Sequence, residues 1–238
     1  MNSVTVHQGT QHALLAPTLA ESAQPMRLFE PANPSLQAQP VSQGGRNAAW
    51  FVHLPNGQEG VLRRYRRGGA MAKLVRQRYL WLGAEATRSW AEYRIMLQLS
   101  NKLNVVPAPL GALYQRHGLS YEAALIVQRI PQAVPLANRL DQADPNVVAA
   151  AVLKIHEAGV WHADLNAYNV LLDAAQHVWI IDFDRAKRCS MHAKHRQQNL
   201  LRLRRSLVKV QGEEGLGWWE VFNQAYLQQW GEILPHRA

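Results

Sequence analysis

The chain holds a single cysteine, Cys189. A lone Cys closes no intramolecular disulfide and supplies no zinc cluster, which suits a reducing cytoplasm. Long apolar runs are missing too. A bilayer-spanning helix needs roughly 18–20 such residues, and the best stretch, Ala149 to Trp161, is broken by Lys154, His156 and Glu157. The first residues lack a basic region leading into an apolar one, so no secretory signal is expected. Any membrane association is therefore expected to be peripheral.

Acid is scarce as well. The 17 Asp+Glu stand against 26 Lys+Arg, a formal net charge of +9, and two long blocks have no acid at all. One runs from Arg63 to Arg78 with seven basic residues, the other from Arg185 to Lys209 with nine. A single arginine usually belongs to a solvated helix face. Two acid-free blocks instead attract phosphate-bearing partners: nucleic acid, anionic lipid or a phosphorylated glycolipid.

Core material is plentiful. Hydrophobic residues make up 47% of 238, with eight Trp, enough for one compact unit or two small lobes. Residues 1–40 carry five prolines among Gln, Ser and Ala. They read as an irregular lead-in with room for a short helical piece.

Residues 41–130 read as β-rich with one helix. Ala49–Val52 and Gly60–Arg63 are strand-like and flank Pro55-Asn56-Gly57, a hairpin turn. Trp90, Tyr93 and Leu97 recur at helical steps within 85–100. Residues 111–130 form a second hairpin turning at His117-Gly118.

Residues 131–238 read as mostly helical. Asp144 is placed to cap a helix, Pro145 suits its first position and Gly159 its stop. Leu200, Leu203, Leu207 and Val210 mark one face of a later helix, with Arg202, Arg205 and Lys209 on others. Trp218, Trp219, Phe222, Tyr226 and Trp230 read as core. The expected class is α+β with two lobes.

The chemistry is concentrated in Val160 to Asp173. His162-Ala163-Asp164 is followed, after four residues, by Asn169, and thirteen residues further on Asp182 ends an apolar strand-like run. Phosphoryl transfer needs such a set. A carboxylate such as Asp164 can orient an acceptor hydroxyl and take its proton. Mg²⁺ arriving with the triphosphate prefers hard oxygen ligands, which Asn169 and Asp182 offer. Each residue alone would be a turn, cap or strand-end residue; the spacing together is what points to catalysis.

H-x-D-x-x-x-x-N followed by an I-D-F strand resembles the catalytic loop and metal-binding acid of the protein-kinase-like superfamily. The resemblance implies that ATP is the donor, that Asp164 is the base and that Asn169 and Asp182 are Mg²⁺ ligands. His162 would prop the loop. Gly60-Val61-Leu62-Arg63 takes the place of V-A-I-K, so Val61 would cover adenine and Arg63 would reach the phosphates, with Glu92 as its helix partner. Arg here replaces Lys, keeping the charge in a bidentate form. Gly44-Gly45 would let backbone approach phosphate, although it does not match G-x-G-x-x-G. Gln128-Arg129-Ile130 falls where backbone would contact adenine.

Asn166 stands at Asp plus two, where protein kinases typically carry a Lys or Arg nearby. Asp184 replaces the Gly of D-F-G, with its own role left open, and no A-P-E follows. A protein substrate is therefore not expected. The blocks Val61–Gly69, His162–Leu172, Ile181–Arg185 and Asn199–Leu207 are similar to the lipopolysaccharide core kinases, in particular their 3-deoxy-D-manno-octulosonic acid (Kdo) kinases. The similarity runs from about Gly44 to Trp230, and L-R-x-Y-R-R-G-G is its specific part. It implies phosphorylation of the 4-hydroxyl of Kdo in Kdo-lipid IV(A), at the cytoplasmic face of the bacterial inner membrane. Arg66, Arg67, Lys73, Arg76 and Arg78 would meet the acidic glycolipid or the anionic membrane surface. No nucleic acid and no obligate protein partner are expected.

Two alternatives stay open. One is a heptose kinase or another small-molecule kinase of this fold. An aminoglycoside kinase would need an acidic pocket, against which the arginine blocks speak. The other is a non-catalytic basic module binding nucleic acid or membrane, suggested by the +9 charge, the missing Lys and the aromatics Tyr65, Tyr79 and Trp81 among arginines.

Overall fold

The computed structural model describes residues 2–41, 49–65 and 78–233. It divides into two compact units, Met1–Asn101 with Ala108–Arg129, and Lys102–Pro107 with Ile130–Ala238.

The first unit is an antiparallel sheet carrying one long helix. Its strands are β1 (Val4–Gln8), β2 (Gln11–Leu15), β3 (Gln39–Pro40), β4 (Ala49–His53), β5 (Glu59–Arg64), β6 (Tyr79–Leu80), β7 (Pro109–His117) and β8 (Ser120–Gln128). Among the described residues they lie in the order β1-β2-β7-β8-β5-β4-β3, with β6 paired to the start of β8. The turn chemistry follows the sequence. Gly57 takes φ +79° and its N–H donates to the Leu54 carbonyl at 2.9 Å, closing the β4–β5 hairpin. Gly118 takes φ +60° between β7 and β8.

The lead-in expectation is corrected. Residues 2–41 hold β1, β2, β3, the helical turn α1 (Pro17–Ala20) and two 3-10 turns, Pro25–Phe29 and Pro34–Leu36. Pro17, Pro25 and Pro34 sit at the first positions of these turns, where no N–H is missed. Leu15, Leu19, Leu28, Phe29 and Leu36 are buried against Val52, Leu62, Leu113 and Ile126. Gly111 makes the fit possible. A Cβ there would come within 2.8 Å of Leu15 and 3.0 Å of Phe29. The segment is thus part of the first unit's core.

Helix α2 (Arg88–Ser100) buries Ser89, Trp90, Glu92, Tyr93, Ile95, Met96 and Leu99, and Leu97 stays half-buried. The preceding 84–86 stretch is a 3-10 turn, so the α-helix opens after Thr87 rather than at 85.

The second unit carries β9 (Val134–Pro135), α3 (Pro145–Glu157), β10 (Val160–Trp161), β11 (Val170–Leu172), β12 (Val178–Ile180), β13 (Lys187–Arg188) and α4 (Ala193–Ile233). Asp144 caps α3, accepting from the Asn146 N–H at 2.8 Å, and Gly159 ends it at φ +74°. α4 is two helical segments meeting at Gly212, whose φ is +55°. Leu200, Leu203 and Leu207 are buried as the apolar face predicts, and Val210 is half-buried. Phe222 and Tyr226 are fully buried. The three tail tryptophans are only half-buried; Trp218 and Trp219 donate their indole N–H groups to the Ala143 and Leu200 carbonyls at 3.0 and 3.3 Å.

Candidate active site

The second unit builds its site on a loop held between two small antiparallel strand pairs. β10 pairs with β13, and β11 with β12. The loop 162–169 leaves β10 and enters β11, while Asp182 follows β12. The register sets Val170 opposite Ile180, and the Ile181 N–H donates to the Asn169 carbonyl at 3.0 Å. The two predicted metal ligands are therefore brought to the same end of one hairpin, although thirteen residues separate them.

His162 props this loop. It is 1% exposed, and its Nδ1 accepts the Asp164 N–H at 3.1 Å. Nδ1 must then be unprotonated, so Nε2 carries the hydrogen and donates to the Ile181 carbonyl at 3.0 Å. Burial lowers its pKa, which keeps this neutral tautomer. One ring thus ties the Asp164 backbone to the residue before Asp182.

The Asp164 carbonyl accepts from Asn169 Nδ2 at 2.8 Å and from Asn166 Nδ2 at 3.1 Å. Asn166 Oδ1 in turn accepts the N–H groups of Tyr168 and Asn169. With its Nδ2 spent inside the loop, Asn169 has its Oδ1 left as a metal donor. Asp182 takes φ +63°, a left-handed conformation unusual outside glycine that turns the chain sharply at the strand end.

The Asp164 carboxylate itself is half-exposed. Its Oδ1 accepts from Arg202 Nη1, on α4, at 3.0 Å. Asp164, Asp182, Asp184, Arg185, Lys187 and Arg202 line an open cleft of about 500 Å³ with Trp161 and Ala163. From the sequence, Arg202 falls on a polar helix face in the second acid-free block, with no link to Asp164. The available signal was Asn199, a polar residue four before Leu203 on the apolar side of that helix. Asn199 is 1% exposed; its Oδ1 accepts the His162 N–H at 3.1 Å and its Nδ2 donates to the His162 carbonyl at 2.7 Å.

Behind the loop the polar chain continues. His156 on α3 meets Asn199 Oδ1 through Nε2 at 3.1 Å and the Tyr226 hydroxyl through Nδ1 at 2.7 Å. Asn199 Oδ1 only accepts, so His156 Nε2 donates and Nδ1 accepts from Tyr226. Burial holds the His156 pKa down at about 3. Arg196 donates to the same hydroxyl at 2.9 Å and pairs with Glu157 at 2.6 Å.

In the first unit, one guanidinium nitrogen of Arg63 reaches both Glu92 oxygens at 2.6 Å. Glu92 is 2% exposed, so this is a buried carboxylate held by a cation and by the Tyr65 hydroxyl, which donates to Oε2. Burial and the Glu92 charge push the Tyr65 pKa well up, so Tyr65 stays a donor. Alternation along β5 sends Leu62 into the core and leaves Val61 and Arg63 on the other, half-buried face.

Some predicted site residues fall elsewhere. The Gln128 N–H goes to the Ala108 carbonyl at 2.8 Å and the Arg129 N–H to the Glu59 carbonyl at 3.1 Å. These two backbone N–H groups are thus taken within the first unit. Ile130 opens the second unit. Arg78 is paired with Glu122 at 3.6 Å beside the β7–β8 hairpin. Gly44, Gly45, Arg66, Arg67, Lys73 and Arg76 lie outside the described residues.

Comparison with known proteins identifies the family. Residues 34–226 match the model of the lipopolysaccharide kinase (Kdo/WaaP) family. A protein of Xanthomonas campestris pv. campestris named 3-deoxy-D-manno-octulosonic acid kinase is 43% identical over 212 residues, covering 86% of this chain and 85% of its own. Proteins of the same name from Stenotrophomonas maltophilia and Xanthomonas axonopodis pv. citri are 44% and 46% identical, over 79% and 78% of this chain and 77% and 76% of theirs. The chain belongs to the lipopolysaccharide kinase (Kdo/WaaP) family and is a phosphotransferase with an alcohol group as acceptor.

Proposed function

We propose that the chain transfers the γ-phosphoryl group of ATP to the 4-hydroxyl of a Kdo residue on Kdo-lipid IV(A), as a peripheral enzyme of the cytoplasmic face of the inner membrane. The observation that carries the reaction is Asp164, a half-exposed carboxylate on a loop whose backbone is fixed by His162, Asn166, Asn169 and Asn199. The acceptor is supported by relatives that bear the name Kdo kinase over most of their length.

The chemistry follows from the residues. Asp164 accepts a hydrogen bond from the acceptor hydroxyl and takes its proton as the oxygen–phosphorus bond forms and the β–γ bridging bond breaks. Holding the loop rigid keeps that carboxylate aligned, which is worth more than its basicity alone. Arg202, beside Asp164, supplies the cation that Asn166 does not, and meets charge building on the transferring group. Arg63, seated by Glu92, holds the nucleotide phosphates. Mg²⁺ would neutralise phosphate charge when bound, and the Asn169 amide oxygen and the Asp182 carboxylate are the hard donors that would hold it.

The test is phosphate transfer from ATP, with Mg²⁺, to purified Kdo-lipid IV(A), beside Asp164→Ala, read by mass spectrometry of the glycolipid. A phosphate gained on the Kdo moiety and lost in the variant is expected, and fragmentation locates the hydroxyl. Transfer to a heptose acceptor instead would replace Kdo and leave the kinase standing. Salt-sensitive DNA binding without turnover would overturn both.

A further inference from the structure

Three large hydrophobic side chains are the most exposed among the described residues. Leu119 is 79% exposed, Leu82 74% and Leu80 62%. All three lie at one end of the first unit's sheet. β6 pairs Tyr79 with Tyr121 and Leu80 with Ser120, and the Trp81 N–H donates to the Leu119 carbonyl at 2.9 Å. The alternation is that of a half-buried strand. Tyr79 and Trp81 turn inward onto Tyr121 and Tyr114, with ring centroids 5.6 and 5.0 Å apart. Leu80 and Leu82 are left outside, and the Gly118 turn leaves Leu119 at the hairpin tip.

Scattered surface leucines are ordinary, but the three most exposed ones gathered at one hairpin end are not. Their surroundings are mainly basic, and nearby Glu85 is held by Arg94 at 2.7 Å. Exposed Arg116 donates to the Gly118 carbonyl at 3.0 Å and covers Trp81 at 5.0 Å. Arg78 immediately precedes β6, at the end of the acid-free block that begins at Arg63. The nearby Glu122 is already countered by Arg78 at 3.6 Å and faces His117 at 3.7 Å.

We infer that Leu80, Leu82 and Leu119 insert into the interfacial layer of an anionic bilayer, with Arg78 and Arg116 at the headgroups. Charge complementarity selects this occupant. Leucines at a tip enter acyl chains while long arginine side chains lie along the boundary with their charge in water. The inference rests on the membrane-bound acceptor proposed above and assigns the surface that meets that membrane.

The experiment is sedimentation of the full chain with phosphatidylglycerol/phosphatidylcholine vesicles that contain no acceptor, for wild type and a Leu80→Ser, Leu82→Ser, Leu119→Ser triple variant. Wild type should pellet with anionic vesicles and less with phosphatidylcholine alone. The triple variant should lose about tenfold or more in partitioning, which transfer of one leucine side chain out of water already supplies. Its transfer to a soluble, delipidated acceptor should be unchanged. Should it misfold, Leu119→Ser alone, in the turn, gives the same comparison.

Absence of wild-type binding, or equal binding by the variants, overturns the inference. So does a concentration-dependent dimer in sedimentation velocity that the substitutions abolish, which would make a second copy the occupant. Vesicle binding with no transfer to Kdo sinks the acceptor instead and leaves the docking surface in place.

Discussion

Arg202 Nη1 donates to Asp164 Oδ1 at 3.0 Å, across 38 residues of sequence. The pair is half-exposed on both sides, so it adds little to stability. In the proposed reaction its effect is on rate. Arg202→Ala should lower kcat by about 10²-fold, the usual effect of removing one donor aimed at developing charge, with the KM for ATP little changed. Arg202→Lys should recover part of the rate. A change confined to KM, with kcat intact, would return Arg202 to the surface.

The Arg63–Glu92 pair should behave differently, because Glu92 is buried. Removing Arg63 takes the guanidinium away from a buried carboxylate, which costs about 3–5 kcal/mol. Arg63→Met should therefore unfold at clearly lower denaturant concentration than wild type. Adding Glu92→Leu should restore much of that stability while ATP turnover stays lost. Urea midpoints and ATP KM values for the two single variants and the double variant separate the roles. Midpoints that simply add would mean the pair is not coupled.

The loop that carries His162, Asp164 and Asn169 was legible in sequence because its parts are neighbours. His162, Asp164 and Asn169 keep a fixed spacing, and a capped helix ending at Gly159 announces them. Arg63 and Glu92 are 29 residues apart and became a pair only through the resemblance. Arg202 was not legible as a partner of Asp164, since the nine basic residues between Arg185 and Lys209 read alike as one phosphate-attracting block. Asn199, on the apolar side of the same helix, was the better clue. Residues 2–41 were misread because proline density suggests irregularity. Here Pro17, Pro25 and Pro34 start short turns, and their apolar neighbours fill a space that Gly111 leaves open.

Asn199 bonds both backbone polar groups of His162, so its loss should loosen the loop without touching substrate. Asn199→Asp keeps the acceptor but cannot donate to the His162 carbonyl and places a carboxylate in a buried site. Its destabilisation should exceed that of Asn199→Ala, which itself strands buried groups at about 1–3 kcal/mol each. Both should lower kcat more than the KM for ATP. Equal thermal shifts for the two variants would contradict the donor role.

The buried histidines give the protein an acid limit. His156 titrates near 3 in the folded chain, and His162 is also lowered, against an ordinary value near 6.5. The unfolded chain therefore binds more protons below about pH 6.5, and stability falls with pH from there toward 3. Above that window both rings are neutral in either state and contribute no slope. For His156 alone the loss between pH 7 and 5 is about 2 kcal/mol. Urea unfolding at pH 7, 6 and 5 should show it, and His156→Gln should flatten the dependence. A stability that stays constant from pH 7 to 5 would mean that the Asn199–His156–Tyr226 chain accepts a proton in place, and that the loop is not anchored by a neutral ring.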